Sequence, residues 1–499
     1  MERAWLIADA SDSVAIALRA LPLGGVVGDI VARSPIPAGH KVAIKAVAKG
    51  QPVIKLGHAI GVASADFAPG DHVHDHNLAF ARETGRHEIG TAIRMPPAMH
   101  AQFNGYVRPD GRVGTRNYIG ILTTVNCSAT VAKRIAAHFT PDRLADFPNV
   151  DGVVAFSHMS GCGMAKSGLG IDNLRRTVAG YAAHPNFAGV LLVGLGCEVN
   201  QLDPLLASAA LAEGERLRLL GIQDAGGTMA AIEAGIAMVE AMLPTANACS
   251  RQPVLASHLT IGLQCGASDG YSALTANPAL GVAVDLLVAA GGRAILSETP
   301  EIYGAEDLLL NRAASSEVAD QLMRRLEWWE GYAAQNGADL DNNPSPGNKA
   351  GGITTILEKS LGAVAKSGST PLNAVIDYAE PVTAPGLTFM DSPGYDPCSA
   401  TGQIAGGANL ICFTTGRGSV FGSIPASTIK LASNPELAAH MAGDIDIDCS
   451  PILSGTTLGE MGEVIFNHIL ATASGAPTCS EALGFGESEW VPWVPGAMF

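Results

Sequence analysis

The spacing of apolar and polar positions changes near residue 105. Up to about residue 78 the chain runs in short alternating stretches, "HKVAIKAV", "PVIKLG", "AIGVAS" and "DHVHDHN", with Gly and Pro every eight to twelve residues. That is the pattern of short half-buried strands in a small barrel or sandwich. Residues 79–104 are polar, lack a period and end in "MPPAMHAQFNG", which reads as a linker. Beyond it, apolar runs of five to eight residues each lead into a Gly- or small-residue turn and then a helical pattern. Examples are "YIGILTTV" before "NCSATVAKRIAAHF", "FAGVLLVGLG" before "CEVNQLDPLLASAA" and "HLTIGLQ" before "CGASDGYSALTA". Continuous apolar strands alternating with helices imply parallel sheets covered on both faces. A long helical stretch near 305–335, carrying Trp328 and Trp329, precedes the loop-rich "DNNPSPGNKAGG". The expected organisation is therefore α/β: a β-rich domain at 1–78, a linker at 79–104, and a larger region in two parts, 105–340 and 341–499. In such sheets ligands sit outside the carboxyl ends of the strands.

The 499 residues are 47% hydrophobic and only 16% charged. This composition suits a well-buried core and suggests further burial in a homo-oligomer, with a dimer the simplest case. The net charge is −16, and the absence of any basic stripe argues against nucleic acid as a partner. Apolar runs such as "AGVLLVGLG" are too short to span a membrane. Asp9 and Asp12 interrupt the first 25 residues, so no signal peptide is expected and the cytoplasm is the expected location. Nine cysteines, an odd number with no C-x-x-C pair, read as thiols rather than a disulfide framework.

Candidate chemistry gathers in a few places. "GDHVHDHNL" puts His72, His74 and His76 two apart, and on a β-strand all three imidazoles would face one way, as metal ligands or as a solvated polar face. Cys127, Cys162, Cys197 and Cys265 all fall in turns that follow apolar runs. Singly each is a small core residue; together they suit metal or cluster ligation at helix starts. His158 shares a turn with Cys162, and Asp269 one with Cys265. In "GRGS", Arg417 offers a planar fork of donors to an anion. Lys166, Lys349 and Lys359 stand in Gly- and Ser-rich contexts as bases, carboxylate partners or plain solvated lysines. "GLGCEV" begins like a dinucleotide fingerprint but lacks its third Gly, and there is no Walker A loop.

Longer stretches carry a family resemblance. "GYVRPDGRVGTRNYIGILTTVNCSATVA", "HMSGCGM", "NNPSPGNKAGGITTILEKSLGA", "PGYDPCSATGQIAGGANLICFTTGRGS" and "STIKLASN" resemble the altronate/galactarate dehydratase family of sugar-acid hydro-lyases. The first 78 residues resemble its N-terminal SAF-type (β-clip) domain. Sulfolactate sulfo-lyase is similar in both modules. The resemblance implies dehydration of an aldonic or aldaric acid to its 2-keto-3-deoxy product, dependent on Fe2+ or Mn2+. It points to His74 and His76 as metal ligands with His72 as a third, and Arg417, Lys349, Lys166 and His158 are the catalytic candidates beside them. The chain departs from the family at Asp75, where Val is more usual, and at Cys398. The chemistry is coherent: removing the proton at C2 next to a carboxylate makes an enediolate, which a cation must stabilise. Two other readings remain open. One puts a labile iron–sulfur cluster on three of the four turn cysteines; the other is a non-catalytic sugar-acid-binding or assembly protein.

Overall fold

The computed structural model describes residues 4–81 and 87–498. Its N-terminal domain is β-rich, as the alternating runs require. Trp5–Leu6, Val14–Ala17, Lys41–Ala43 and His72–Val73 form a four-stranded antiparallel sheet. Pro52–Lys55, His58–Ala63 and Leu78–Ala79 form a second, three-stranded one. Gly70 makes the turn before the histidines possible. Its φ is +92°, and a Cβ there would lie 2.1 Å from the carbonyl oxygen of Val31, a position only glycine can occupy.

Residues 82–86 of the expected linker lie outside the described residues. The rest is strapped to the body of the protein rather than free. Gly90 and Ala92 donate backbone N–H groups to the carbonyls of Leu310 and Asn311, and Met99 donates to Ala289. From Gln102 the segment is already a strand, Gln102–Val107, paired antiparallel with Arg251–Leu255.

Two parallel sheets follow. The first has the order Gly152–Phe156, Tyr118–Thr123, Phe187–Gly194, Leu217–Gly221. The second has seven strands in the order Leu372–Ile376, Gly386–Met390, Arg293–Leu296, Thr260–Gly266, Leu410–Thr415, Ser427–Ala432, Ile447–Asp448. Every residue of its three strands Thr260–Gly266, Leu410–Thr415 and Ser427–Ala432 is buried, which is why the first two read as mainly apolar runs, while the third also buries Ser427, Thr428 and Lys430. The division expected at 340/341 falls inside this sheet. The helix Ser316–Gln335 and the loop after it belong to one long crossover between Arg293–Leu296 and Leu372–Ile376. The break between the two sheets comes earlier, after the helix Thr228–Ala248. That helix is long and apolar enough to cross a membrane, contrary to the reading of short apolar runs, but Ala231, Val239, Met242 and Leu243 are buried against Ile121, Leu191 and Leu220 of the first sheet.

The seven-stranded sheet has a switch point. From Thr260–Gly266 the chain adds Arg293–Leu296 on one side, and from Leu410–Thr415 it adds Ser427–Ala432 on the other. The crevice between the carboxyl ends of those two central strands is where a doubly wound sheet takes its ligand. The N-terminal domain is pinned beside it by a buried charge triad. Glu358 accepts from Lys41 Nζ at 2.8 and 3.1 Å and from Lys55 Nζ at 2.8 Å. Burial opposes its charge, yet the two ammoniums hold its carboxyl well below the usual range.

Candidate functional site

The strand bearing the histidines ends at Val73, and residues 74–77 form a turn. Asn77 closes that turn: its Oδ1 accepts from the His74 N–H at 2.9 Å and its Nδ2 donates to the His72 carbonyl at 3.0 Å. A single strand face is therefore not what gathers the rings. The turn and one further residue, His40, do so. His40 Nδ1 faces His72 Nε2 at 3.0 Å, and the ring centroids of His40 and His74 are 5.0 Å apart. His76 is exposed at the outer edge, its ring 5.5 Å from that of His72. Nothing in the spacing "PAGHKVAIKAV" marks His40, which reaches the cluster from a neighbouring strand start.

The orientation of two rings is fixed by a short helix, Pro346–Ala350. His74 Nε2 meets the carbonyl of Lys349 at 2.9 Å and His40 Nε2 meets that of Ala350 at 3.1 Å. A carbonyl only accepts, so both Nε2 atoms carry the proton, and the Nδ1 lone pair of His40 accepts from His72 Nε2. Imidazoles held through their distal N–H by a backbone carbonyl are in the arrangement of metal ligands. Burial, reinforced by the neighbouring imidazoles, pushes His72 down to about 4, and burial lowers His40 and His74 as well. The rings are neutral at neutral pH, the form that binds a cation. In donor type the cluster fits a divalent first-row metal; in spacing, no three of its rings bring nitrogens within 4.8 Å of one another.

The same helix borders the switch point. Arg417 follows the strand Leu410–Thr415 and is exposed; a Cβ built on Gly347 would lie 4.0 Å from its Nε. Among the described residues its guanidinium has no hydrogen-bond partner. It lines a cleft of about 660 Å³ with Arg19, His440, Ala350 and Gly351. Asp269 in that cleft is saturated, accepting from Ser272, Ser433 and Asn434, which leaves Arg19 and Arg417 as its cations beside the exposed carboxylate of Glu436.

On its other flank the helix contributes Ser345 and Asn348 to a cavity of about 370 Å³ lined by Cys265, Glu301, Asn343, Lys359 and Asp396. Here Lys359 Nζ donates to Glu301 Oε1 at 2.7 Å and to Asn343 Oδ1 at 3.0 Å. Lys366 Nζ lies 3.0 Å from Cys265 Sγ and 3.7 Å from Glu298 Oε2. Burial, then the charge of Glu301, raises Asp396 to about 6 and Glu298 well above the carboxylate range. Cys265, Glu298 and Glu301 offer three ligand atoms within 4.8 Å of one another. Lys359 pairs with Glu301 at 2.7 Å and Lys366 stands 3.7 Å from Glu298, yet both Glu298 oxygens and Glu301 Oε2 are buried without a hydrogen-bond partner among the described residues.

The other expected residues separate. Lys349 does lie at the hub, where its carbonyl holds His74 and its Nζ is 3.5 Å from Asp75. Lys166 is exposed on the rim of the four-stranded sheet. His158, expected as an acid–base residue, is buried with both ring nitrogens occupied. Nδ1 accepts from Ser160 N–H and Nε2 donates to the Thr123 carbonyl, each at 3.1 Å. A ring so engaged has no nitrogen left for a substrate proton. Cys265 stands apart from Cys127, Cys162 and Cys197, which ride on the other sheet, so a cluster drawing on Cys265 with them is not assembled. Gly266–Gly270 spells G-x-S-x-G, but Ser268 is 3% exposed, unlike a nucleophile raised on an elbow. A cavity of about 730 Å³ lies away from the hub, between the His158 loop and the C-terminal segment near Trp490. It lacks the free cations of the Arg417 cleft.

Comparison with known proteins places this geometry. Residues 256–498 match the family model for the C-terminal domain of D-galactarate/altronate dehydratase. Residues 105–247 match the second domain of D-galactarate dehydratase/altronate hydrolase, and residues 3–81 match the altronate/galactarate dehydratase SAF domain. The chain is 36% identical over 487 residues to altronate dehydratase of Escherichia coli (strain K12), covering 96% of this chain and 97% of that one. It is 36% identical over 451 residues to galactarate dehydratase (L-threo-forming) of the same organism, covering 88% and 86%. It is 32% identical over 396 residues to (2R)-sulfolactate sulfo-lyase subunit beta of Chromohalobacter salexigens, covering 77% and 96%.

Proposed function

Since the chain belongs to the D-galactarate/altronate dehydratase family, we propose that it removes water from a sugar acid. The substrate is an aldonate such as altronate, or an aldarate, and the product is the 2-keto-3-deoxy acid. The observation that carries this reading is the gathering, around the five-residue helix Pro346–Ala350, of neutral imidazoles, an unpartnered guanidinium and a carboxyl of raised pKa.

Each residue then has a task. Arg417 takes the substrate carboxylate through two parallel N–H donors, which fixes the orientation of C2. Asp396, ionised above about pH 6, accepts the C2 proton. Lys359 stays an ammonium because Glu301 outweighs the burial that opposes its charge, and it stabilises the negative charge that builds on the enediolate oxygens. The C2 proton and the C3 hydroxyl depart together as one water, and the resulting enol becomes the ketone. His40, His72 and His74 would hold Fe2+ or Mn2+, with His76 at the open edge. Bound there, the ion supplies a Lewis acid for the carboxylate and hydroxyl oxygens of the substrate.

The test is keto-acid formation from a panel of aldonates and aldarates, with and without added Fe2+. Turnover of at least one sugar acid, raised by the metal, supports the reading. Tight binding without turnover would make the chain a binding protein, and sulfite release from sulfolactate alone would make it a carbon–sulfur lyase.

A further inference from the structure

Three of the nine cysteines, Cys127, Cys162 and Cys197, are exposed, whereas the others are buried or half-buried. They follow the carboxyl ends of three adjacent parallel strands, Tyr118–Thr123, Gly152–Phe156 and Phe187–Gly194. The three loops are knotted into one body. The Asn126 N–H donates to the Ser160 carbonyl at 3.0 Å, and Val199 and Asn200 both donate to the Gly161 carbonyl at 3.0 and 3.1 Å. The Asn200 side chain reaches the Thr124 carbonyl at 3.2 Å. Gly161 is the centre of the knot: its φ is +97°, and a Cβ there would fall 2.3 Å from Thr124 O. Cys127 adjoins Asn126, Cys162 adjoins Gly161, and Cys197 lies two residues before Val199. Beside Cys197, Glu198 accepts from Thr124 Oγ1 at 2.6 Å and from the N–H groups of Leu195 and Gly196. That loop is therefore held in place by its own neighbour.

Exposed thiols are the ones most open to oxidation, so three of them on one rigid rim require a reason. The mechanism above uses none of them. A single ion is not that reason. Tetrahedral thiolates on one ion stand about 3.8 Å apart, given metal–sulfur bonds of about 2.3 Å. Among the described residues, the group whose three ligand atoms lie within 4.8 Å of one another is Cys265, Glu298 and Glu301, not these three. An iron–sulfur cluster spreads its thiolates over separate irons and tolerates wider spacing.

We propose that Cys127, Cys162 and Cys197 hold a four-iron, four-sulfide cluster, separate from the histidine site. Each thiol gives up its proton to solvent as its sulfur displaces one ligand from an iron of the assembled cluster, and the fourth iron keeps an exchangeable position. Taking up an assembled cluster is ligand exchange and moves no electrons.

The test uses the full chain, reconstituted without oxygen from ferric iron, sulfide and dithiothreitol, and reads acid-labile sulfide and visible absorption. The wild type is expected to bind ~4 sulfides per chain. Cys127→Ser, Cys162→Ser and Cys197→Ser should each lose more than half of it, and the triple variant all of it. Cys249→Ser and Cys479→Ser should retain it, and circular dichroism confirms that every variant is folded. Labile sulfide in the triple variant at the wild-type level overturns the proposal. So does iron or zinc bound by the wild type without sulfide. Iron on imidazoles carries no labile sulfide, so the result is independent of the histidine site.

Discussion

Replacing Arg417 isolates the substrate clamp from the fold. Its guanidinium has no hydrogen-bond partner among the described residues, and it stands in an open cleft near Gly347. Substitutions at such positions change stability by about 0.5 kcal/mol or less. A charge-assisted hydrogen bond contributes about 1.5–3 kcal/mol. Because the cleft is open to solvent, we take that range for the whole bidentate pair rather than for each bond. At about 1.4 kcal/mol per decade, Arg417→Ala should lower kcat/KM by roughly 10–150-fold. Arg417→Lys keeps the charge but loses the planar fork. Its KM should rise, and kcat should fall as well, since displacing C2–H by about 1 Å can cost roughly 100-fold. The assay is steady-state keto-acid formation, with bound metal and Tm measured on the same samples. Unchanged kcat/KM in Arg417→Ala would refute the clamp. A fall in Tm that parallels the loss of activity would show instead that Arg417 braces its Gly-rich loop.

Three further outcomes follow from the same geometry. His40→Ala and His74→Ala should each lower metal affinity by more than the roughly 10–100-fold of an outer-shell change, read by metal content after dialysis, while both variants remain folded. Asp396 must be ionised to act, so activity should fall as pH drops through about 6, and Asp396→Asn should remove both the activity and that limb of the pH profile. Glu358→Gln strands two buried ammoniums and should cost about 3–5 kcal/mol in denaturant unfolding. The contribution of Glu358 is present at neutral pH and fades only in acid, because its carboxyl is held below the usual range.

Much of the architecture was legible in the chain because burial on both faces writes itself as uninterrupted apolar runs. "HLTIGLQ" and "ANLICF" became the two central strands of the seven-stranded sheet. The division that the loop-rich segment suggests at 340/341 falls inside the seven-stranded sheet for a physical reason. A crossover of some 75 residues, Ser297–Pro371, carries its own helices and loops and so mimics the edge of a domain. The site was legible only where its residues are close in sequence. His72, His74 and His76 announce themselves, and Arg417 sits at a strand end where ligands are expected. His40, Glu301 and Asp396 carry no such spacing; they meet the others through strand pairing and the crossover. His158 misled because its turn resembles those that bear ligands, while its two ring nitrogens serve the backbone.

The central claim is that the helix Pro346–Ala350 joins a metal held by imidazoles to the acid–base cavity. Anomalous diffraction at the iron edge tests it most directly, on crystals loaded with Fe2+ and a sugar acid without oxygen. The account predicts an iron peak bonded to His40, His72 and His74, with the ligand carboxylate on Arg417. No peak at those imidazoles, with iron bound instead by Cys265, Glu298 and Glu301, would contradict it.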